Sequence, residues 1–303
     1  MNRPRQRGAA LVVAMLVAAI AAAVATTLLT DGSRWQTVVE GRRDHARAAS
    51  LAAAGVQWAR QALADDAAHG TIDHPGEAWA IPLPVTPVEG GSVEGRIEDA
   101  QARLNLNAVA GDDAASARAR ERLAALFARR GLDPGLVDAL ADWIDADGTV
   151  REHGAEDDAY GRDDALAANA PLVRVAELAA VRGFTPDAIA RVTSDVAALP
   201  PDATLNVNTA PPDVLAALLP SLDAEGIAAI VAMRRDKPFA TVDDFRARVS
   251  RGTAAPDTTG LGVASRHFLV SVRARQGESV VIAEALLVRD GRAAPRVAWQ
   301  VLD

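Results

Sequence analysis

Gly8 to Leu29 reads GAALVVAMLVAAIAAAVATTLL, and this stretch decides the fold. Its 21 residues from Ala9 to Leu29 carry no charge. As a helix they would be roughly 31 Å long, which matches the hydrocarbon core of a bilayer. Arg3, Arg5 and Arg7 precede the stretch without an acidic residue, and such basic flanks stay in the cytoplasm. The sequence predicts one membrane-spanning helix, with all that follows on the far side.

The junction between the basic leader and the apolar helix bears on three interpretations of the N-terminal segment. A cleaved secretory signal and a plain anchor both stay open, although a usual signal core has only about 7–15 apolar residues. The third interpretation is based on Gly8, after which the apolar helix begins at once. This join resembles the class III signal of type IV pilins and type II secretion pseudopilins. The resemblance implies that a prepilin peptidase cuts between Gly8 and Ala9 and methylates the new N-terminus, Ala9.

One position departs from the common pilin pattern. Most members of that family have a glutamate at the fifth mature position, which is Val13 here. A carboxylate inside the bilayer costs about 2.5–3.5 kcal/mol on insertion scales, and in pilins its partner is the amine of the neighbouring subunit. A subunit that lacks this glutamate suits the tip of a filament. In that family this is a feature of the minor pseudopilin K of type II secretion.

Composition limits the remaining possibilities. With 303 residues the chain can hold an anchor and two folded modules. Its net charge of −8 argues against a nucleic-acid surface. The absence of cysteine excludes disulfides, thiol catalysis and thiolate metal sites, and the five scattered histidines form no HExxH pattern.

Helical periodicity continues beyond the apolar stretch. It predicts one helix from Ala9 to Ala64, amphipathic in its second half. Prolines and glycines from Ala67 to Gly91 indicate a connecting loop, and Ser92 to Glu98 alternates like a half-buried strand. Three β-rich runs, His267–Arg275, Ser279–Arg289 and Arg296–Leu302, provide its partners. Together these elements predict an α+β, type IV pilin-like fold: a long N-terminal helix packed on a small antiparallel sheet.

A large helical insertion divides this fold, and its sequence indicates an internal duplication. RLNLNAV at 103–109 corresponds to TLNVNTAP at 204–211, and GLDPGLVDALADWID at 131–145 to SLDAEGIAAIVAMRR at 221–235. A third pair, PLVRVAELAAV at 171–181 and PFATVDDFRARV at 238–249, follows in the same order. We therefore expect an inserted all-α domain of two related helical units, in which the Asn-x-Asn asparagines are structural caps.

The first unit contains an acidic loop that the second unit lacks. The loop, Asp142–Asp164, has nine carboxylates opposed only by Arg151 and Arg162. Oxygen ligands in a flexible loop suit Ca²⁺, which takes about 6–8 of them. The spacing is not that of an EF-hand, because Trp143 and Gly154 would occupy its first and twelfth positions. A merely solvated loop remains the alternative.

Three blocks, DWIDAD, GAEDDAY and NVNTAP, carry a specific resemblance. They resemble the type II secretion protein K family, over nearly the whole chain. The resemblance implies a helical domain inserted into a pilin fold, with calcium bound in the helical domain. From the residues themselves, we expect Trp143 and Ile144 to anchor the loop in the core and Tyr160 to close it. The implied calcium ligands are Asp142, Asp145, Asp147, Glu156, Asp157 and Asp158.

Two other functions have some support or precedent in the sequence. Residues 206–235 with FATVDDF also resemble helix-hairpin-helix DNA-binding modules, some of them in membrane-anchored DNA receptors. Asp223 and Glu225, however, would face the phosphates that such a turn binds through its N–H groups. An enzyme is not expected, because no nucleophile, base or phosphate loop accompanies the carboxylates.

The residues and the resemblance together predict a minor pseudopilin at the tip of a type II secretion pseudopilus, needed for pseudopilus initiation and export of folded exoproteins. Its implied partners are the I and J pseudopilins, pseudopilin H, the prepilin peptidase, the assembly platform, the secretin and exoproteins. The implied location is a Gram-negative inner membrane, N-terminus cytoplasmic and bulk periplasmic. The expected divisions are a leader (1–8), spanning and periplasmic halves of the helix (9–30 and 31–66), a β domain (67–101 and 263–303) and helical units (102–203 and 204–262).

Overall fold

The computed structural model describes residues 6–161, 166–250, 255–291 and 293–303. Its first element, helix α1, is a single helix of 62 residues, Gln6–Ala67. It begins three residues before the predicted start at Ala9 and ends three after Ala64. Gly41 and Gly55 lie inside it without a break. The predicted continuous helix is therefore present.

One face of the upper half of α1 is buried. Its members repeat at three- and four-residue spacing, so they share one side of the helix. They pack against the sheet strands in one apolar core. The buried residues of this face are Ala48, Ala52, Val56, Ala59 and Leu63.

The sheet has five antiparallel strands. They are β1 (Leu83–Val88), β2 (Gly91–Asp99), β7 (His267–Gln276), β8 (Ser279–Val288) and β9 (Arg296–Leu302). Four match predicted runs, and β1 lies in the stretch that was predicted to be a loop. Pro84 and Pro87 argued against a strand there, because proline cannot donate a backbone hydrogen bond to a neighbouring strand. Strand β1 lies at the edge of the sheet, however, where proline is tolerated. Their order across the sheet is β1-β2-β7-β8-β9.

The contacts of α1 distinguish two ends of the sheet, a proximal end nearer the apolar first half of the helix and a distal end nearer its C-terminus. Near its proximal end, the Ser279 hydroxyl donates to the Gly41 carbonyl at 3.4 Å. Near its distal end, Arg289 donates to Asp66 at 2.8 Å. These helix positions are about 37 Å apart along a helix. The insertion leaves and re-enters the sheet at Asp99 and Phe268, which are partners on one rung at the distal end.

The insertion contains two units, each opened and closed by a short parallel strand pair. In the first, β3 (Leu104–Asn105) pairs with β4 (Val196–Ala197). In the second, β5 (Leu205–Asn206) pairs with β6 (Leu261–Gly262). The insertion is therefore mainly helical rather than purely helical. Both units contribute to one apolar core.

Helices fill both units. The third predicted segment of the first unit is a 3₁₀ helix, Val175–Ala180, whereas its counterpart in the second unit is α-helical. The helix Pro186–Val192, α5, was not predicted from the sequence. The first unit holds α2 (Ala114–Arg129), α3 (Leu136–Ile144), α4 (Asp157–Tyr160) and α5 (Pro186–Val192), and the second holds α6 (Pro212–Leu218), α7 (Ala224–Asp236) and α8 (Val242–Val249).

A buried polar network joins the second unit to the sheet. Oδ2 of Asp99 accepts hydrogen bonds from Asn206 Nδ2 at 3.0 Å, Ser265 Oγ at 2.6 Å and Thr209 Oγ1 at 2.5 Å. Asp99, Asn206 and Ser265 are almost fully buried. Because these partners come from two separate segments, residues 206–209 and Ser265, the bonds fix the orientation of the unit on the sheet.

Candidate metal centre and membrane anchor

Helix α3 places the first carboxylate of the acidic loop in the protein interior. Its apolar residues Leu140, Trp143 and Ile144 are buried, and Asp142 is buried among them with 0% exposure. Asp145 follows at the C-terminal cap of the helix. The chain then returns with Glu156, also buried. These three carboxylates form what we call the buried acidic cluster.

The six predicted ligands fall into two groups. Asp142, Asp145 and Glu156 belong to the buried acidic cluster, whereas Asp147, Asp157 and Asp158 are exposed. The Asp147 carboxylate accepts from the Thr149 N–H at 2.8 Å. The Asp157 carboxylate accepts from the Ala167 N–H at 2.9 Å. Residues 162–165 of the loop lie outside the described residues, Asp163 and Asp164 among them.

The buried acidic cluster has more negative charge than its protein partners neutralise. Burial raises the pKa of Glu156, and the charges of Asp142 and Asp145 raise it further. Burial also raises the pKa of Asp145. Oδ1 of Asp145 and Oε1 of Glu156 are buried without a hydrogen-bond partner. Orphaned carboxylate oxygens of this kind are suitable ligands for a divalent cation. Among the described residues, however, the ligand atoms of Asp66, Asp73 and Glu77 lie within 4.8 Å of one another, whereas those of the buried acidic cluster do not, so its carboxylates would have to move closer together to hold an ion.

Two neighbours of the cluster were not predicted to belong to it. Nη1 of Arg151 donates to Asp142 Oδ1 at 2.5 Å and also to Asp145 Oδ2. The backbone N–H of Arg151 donates to Asp142 Oδ2 at 3.1 Å. A Cβ at Gly154 would collide with the Asp142 carboxylate. The sequence signal for Arg151 is its position as one of only two cations in the acidic loop.

Aromatic packing secures the loop against its unit. Trp143 is 9% exposed and meets the Tyr160 ring edge-on, with 5.0 Å between ring centroids. The Tyr160 hydroxyl accepts from the Arg182 N–H at 3.0 Å. The two aromatic residues therefore connect the ends of the loop to the core and to the segment before α5.

A second acidic cluster was not predicted. Ligand atoms of Asp66, Asp73 and Glu77 lie within 4.8 Å of one another. Arg289 donates to Asp73 at 2.5 Å and to Asp66 at 2.8 Å. This cluster is an ion-paired joint between the end of α1 and the sheet. The sequence could not indicate it, because Arg289 is distant in the chain.

The exposed first half of α1 is the candidate membrane anchor. Ala9–Leu28 has a mean hydropathy of 2.6 and none of it is buried, so length and composition allow it to cross a membrane. Gly8 and Ala9 lie within the first turns of the helix. Beyond the span, α1 exposes Trp35 and Trp58.

The hairpin-like turn before α7 uses its N–H groups internally. The Asp223 carboxylate caps the helix and accepts from the Gly226 N–H at 2.9 Å. Arg234, one of the nearby cations, donates to the Val207 carbonyl at 2.7 Å. Burial lowers its pKa to about 10. These contacts favour a structural role for the turn over phosphate binding.

Comparison with known families gives a consistent result. Residues 102–201 and 205–264 match two family models with the same description, type II secretion system (T2SS), protein K. Together they cover more than half of the chain.

Named relatives and a solved structure agree. The chain is 32% identical to type II secretion system protein K of Pseudomonas aeruginosa over 96% of this chain and 91% of that protein. It is 29% identical to the Klebsiella pneumoniae protein K over 95% and 94%. A chain in the crystal structure of the GspK-GspI-GspJ complex from enterotoxigenic Escherichia coli matches with a TM-score of 0.77 at 25% identity, covering 86% of this chain and 98% of that chain. With its pilin-like fold, inserted helical units and apolar anchor, this chain belongs to the type II secretion system protein K family of minor pseudopilins.

Proposed function

We propose that this chain caps the tip of the type II secretion pseudopilus, where it starts assembly and supports export of folded exoproteins through the secretin. The observation that carries this proposal is the position of the two helical units. They leave the sheet at its distal end, on the Asp99–Phe268 rung, far along α1 from the membrane span. A subunit with a bulky domain there leaves no room for another subunit above it.

Labelled filaments test this position. The chain has no cysteine, so Ala228→Cys on the exposed surface of α7 provides a unique attachment point. We expect sheared pseudopili to carry one gold or fluorescent label at one end. A label on the major pseudopilin, as a control, should decorate the whole length. Labels from Ala228→Cys distributed along the filament would contradict a tip position.

The exposed apolar side chains of α1 are the proposed contacts to other minor pseudopilins. Trp35, Val38, Val39 and Trp58 are each at least 47% exposed outside the spanning segment. Large exposed apolar residues mark interaction surfaces. By analogy with the related complex, the partners are the I and J subunits, with pseudopilin H linking them to the filament. Trp58→Ala should reduce co-purification with I and J, whereas Gln57→Ala beside it should not.

Processing at the leader is the next part of the proposal. A prepilin peptidase would cut between Gly8 and Ala9 and methylate Ala9, before the assembly platform moves the subunit into the filament from the Gram-negative inner membrane. The basic leader would stay cytoplasmic, with the bulk periplasmic. Intact mass after expression with the peptidase should show loss of residues 1–8 plus one methyl group. An uncut chain would exclude pseudopilin processing.

Calcium is the proposed occupant of the acidic loop. Asp142, Asp145 and Glu156 would hold the ion, and Asp147, Asp157 and Asp158 offer exposed oxygens beside them. The bound ion would pair with Asp145 Oδ1 and Glu156 Oε1, which are otherwise buried without a hydrogen-bond partner. Saturation to about 100 times Kd would add about 2.7 kcal/mol to stability. The full chain in detergent should melt higher in millimolar Ca²⁺ than in chelator, and Glu156→Gln should reduce that difference. Identical melting of the wild-type chain would contradict calcium binding.

A further inference from the structure

Arg151 is the residue of the acidic loop that most directly affects the buried acidic cluster. Its side chain is 18% exposed, next to Asp142 at 0% and Asp145 at 6%. The guanidinium bridges these two carboxylates through Nη1. It therefore already holds, with a single positive charge, oxygens that a metal ion would also use.

The charges of the cluster do not balance with Arg151 alone. Three buried carboxylates face one guanidinium, which leaves two negative charges if all three are ionised. Asp145 Oδ1 and Glu156 Oε1 have no donor, whereas Asp142 Oδ1 and Asp145 Oδ2 are bound to Arg151. The available oxygens are therefore divided between those held by arginine and those left free.

The number of carboxylate oxygens in the cluster limits how a calcium ion could bind there. Calcium takes about 6–8 oxygen ligands, and three carboxylates supply at most six. Two of those six accept from the Arg151 side chain and a third from its backbone N–H. Full use of the cluster as an ion site therefore requires the guanidinium to release its two oxygens.

A second partner lies within reach on the solvent side. Nη2 of Arg151 is 3.5 Å from Asp112 Oδ1, and the Asp112 side chain is 85% exposed. The long arginine stem can pivot toward this carboxylate without breaking the backbone bond to Asp142. Arg151 thus contacts two buried carboxylates and one exposed carboxylate at the same time, and the exposed contact can remain when the buried oxygens are released.

We infer that Arg151 is a built-in counter-cation that folds the acidic loop in the absence of metal and competes with a divalent cation for Asp142 and Asp145, so that it sets the affinity of the loop. This inference rests on the proposed calcium site. Without the ion, Arg151 keeps like charges together that would otherwise repel one another. When the ion binds, Arg151 must release the two carboxylates, and the cost of this release makes the free energy of ion binding less favourable. The affinity is therefore weaker than the same carboxylates would give without Arg151.

Calorimetric Ca²⁺ titration and thermal melting of the full chain in detergent test the inference. Arg151→Gln should bind Ca²⁺ at least tenfold more tightly than the wild-type chain and melt at a lower temperature in chelator. Arg151→Lys, which keeps the charge without the two-carboxylate bridge, should fall between them and covers the case in which the glutamine variant does not fold. Arg191→Gln removes an exposed ion pair with Asp187 from the same unit and should leave the affinity unchanged.

The outcomes separate this inference from the calcium proposal. If the wild-type chain binds Ca²⁺ and both Arg151 variants bind equally or more weakly, Arg151 is a fixed partner that orients the carboxylates, and the inference is overturned. If neither the wild-type chain nor the variants bind, the calcium proposal itself fails. Binding by Arg151→Gln alone would support the inference in its strongest form.

Discussion

At the residue scale, the duplicated asparagines have equivalent roles in the two units. Asn107 Nδ2 donates to the Leu172 carbonyl at 2.8 Å, and its Oδ1 accepts from the Leu172 N–H at 2.8 Å. Asn208 makes the same pair of bonds to Phe239, at 3.0 and 2.8 Å. Leu172 and Phe239 each follow a proline in the third duplicated segment. The internal repeat visible in the sequence is therefore also a repeat of hydrogen bonding.

These asparagines should be costly to remove. Asn107→Ala and Asn208→Ala each leave buried backbone groups without partners, a loss of about 1–3 kcal/mol per unsatisfied group. We expect both to lower the melting temperature, Asn107→Ala more because Asn107 Nδ2 also bonds the Leu199 carbonyl at 2.9 Å. Gln57→Ala, at an exposed position on α1, serves as the control. A loss in only one unit would argue against equivalent roles.

The acidic loop shows how far residue types alone can predict a site. Carboxylate density identified the loop, and the family resemblance suggested six ligands. Only three of them are buried together, because helix α3 turns Asp142 inward while Asp147 and Asp157 lie on the solvent side. Ion pairing by Arg151 depends on the path of the loop. Periodicity does not predict that path, because residues 145–156 form neither a helix nor a strand.

At the element scale, α1 packs closely against the sheet at Gly55. A Cβ there would lie 2.6 Å from Cγ1 of Val272, which is itself buried on β7. The helix can therefore pack this close only because position 55 has no side chain.

Gly55→Ala should lower stability, although alanine favours a helix by about 1 kcal/mol over glycine. Overpacking costs about 1–3 kcal/mol and opposes that gain. Adding Val272→Ala should relieve the overlap, so that the double variant loses less than the sum of the single losses. Gly41→Ala is the matched control. Its Cβ would meet nothing within 4 Å, and it should raise the melting temperature. Additive losses at 55 and 272 would refute the steric explanation.

Element prediction succeeded where periodicity was strong. Helix α1 and strands β2, β7, β8 and β9 follow clear patterns of three to four or two residues. Strand β1 was missed because its two prolines are typical of loops. The two-residue strands β3 to β6 are too short to show alternation, and only contacts with distant segments define them.

At the scale of the whole molecule, Asp99 links the helical units to the sheet. Burial raises its pKa to about 6, against hydrogen bonds from Ser265 and Thr209 that favour the charged form. The Asp99 carboxyl group therefore binds a proton more tightly in the folded chain than in the unfolded chain, where an aspartate has a pKa near 4. The contribution of this group to stability is complete below about pH 4 and is lost as the pH rises through 6.

Asp99→Asn removes this titration while keeping an acceptor oxygen. We expect the wild-type chain to gain on the order of 2–3 kcal/mol relative to Asp99→Asn as the pH falls from 7 to 4, because each pKa unit corresponds to about 1.4 kcal/mol. Melting curves of both chains at four pH values measure the difference. A difference that stays constant across this range would show that Asp99 does not titrate there.

The domain plan could be inferred because each part has its own sequence pattern: an uncharged stretch, alternating runs and a repeated motif. The contacts that join these parts could not be inferred from the sequence. Asp73, Asp99, Ser265 and Arg289 come from four separate segments, and their mutual hydrogen bonds follow only from the folded arrangement.

The single rung at which the insertion joins the sheet has a mechanical consequence. Both ends of the helical units leave at Asp99 and Phe268, so a pull on the units would load the β2–β7 hydrogen bonds one rung at a time, like a zipper opened from its end. A push in the opposite direction would instead press Leu199 of the insertion against Leu286 of the sheet, which already share a small apolar core. We therefore expect the joint to resist thrust better than tension, in which the hydrogen bonds that Asp99 accepts from Asn206 and Thr209 would be the first to be loaded.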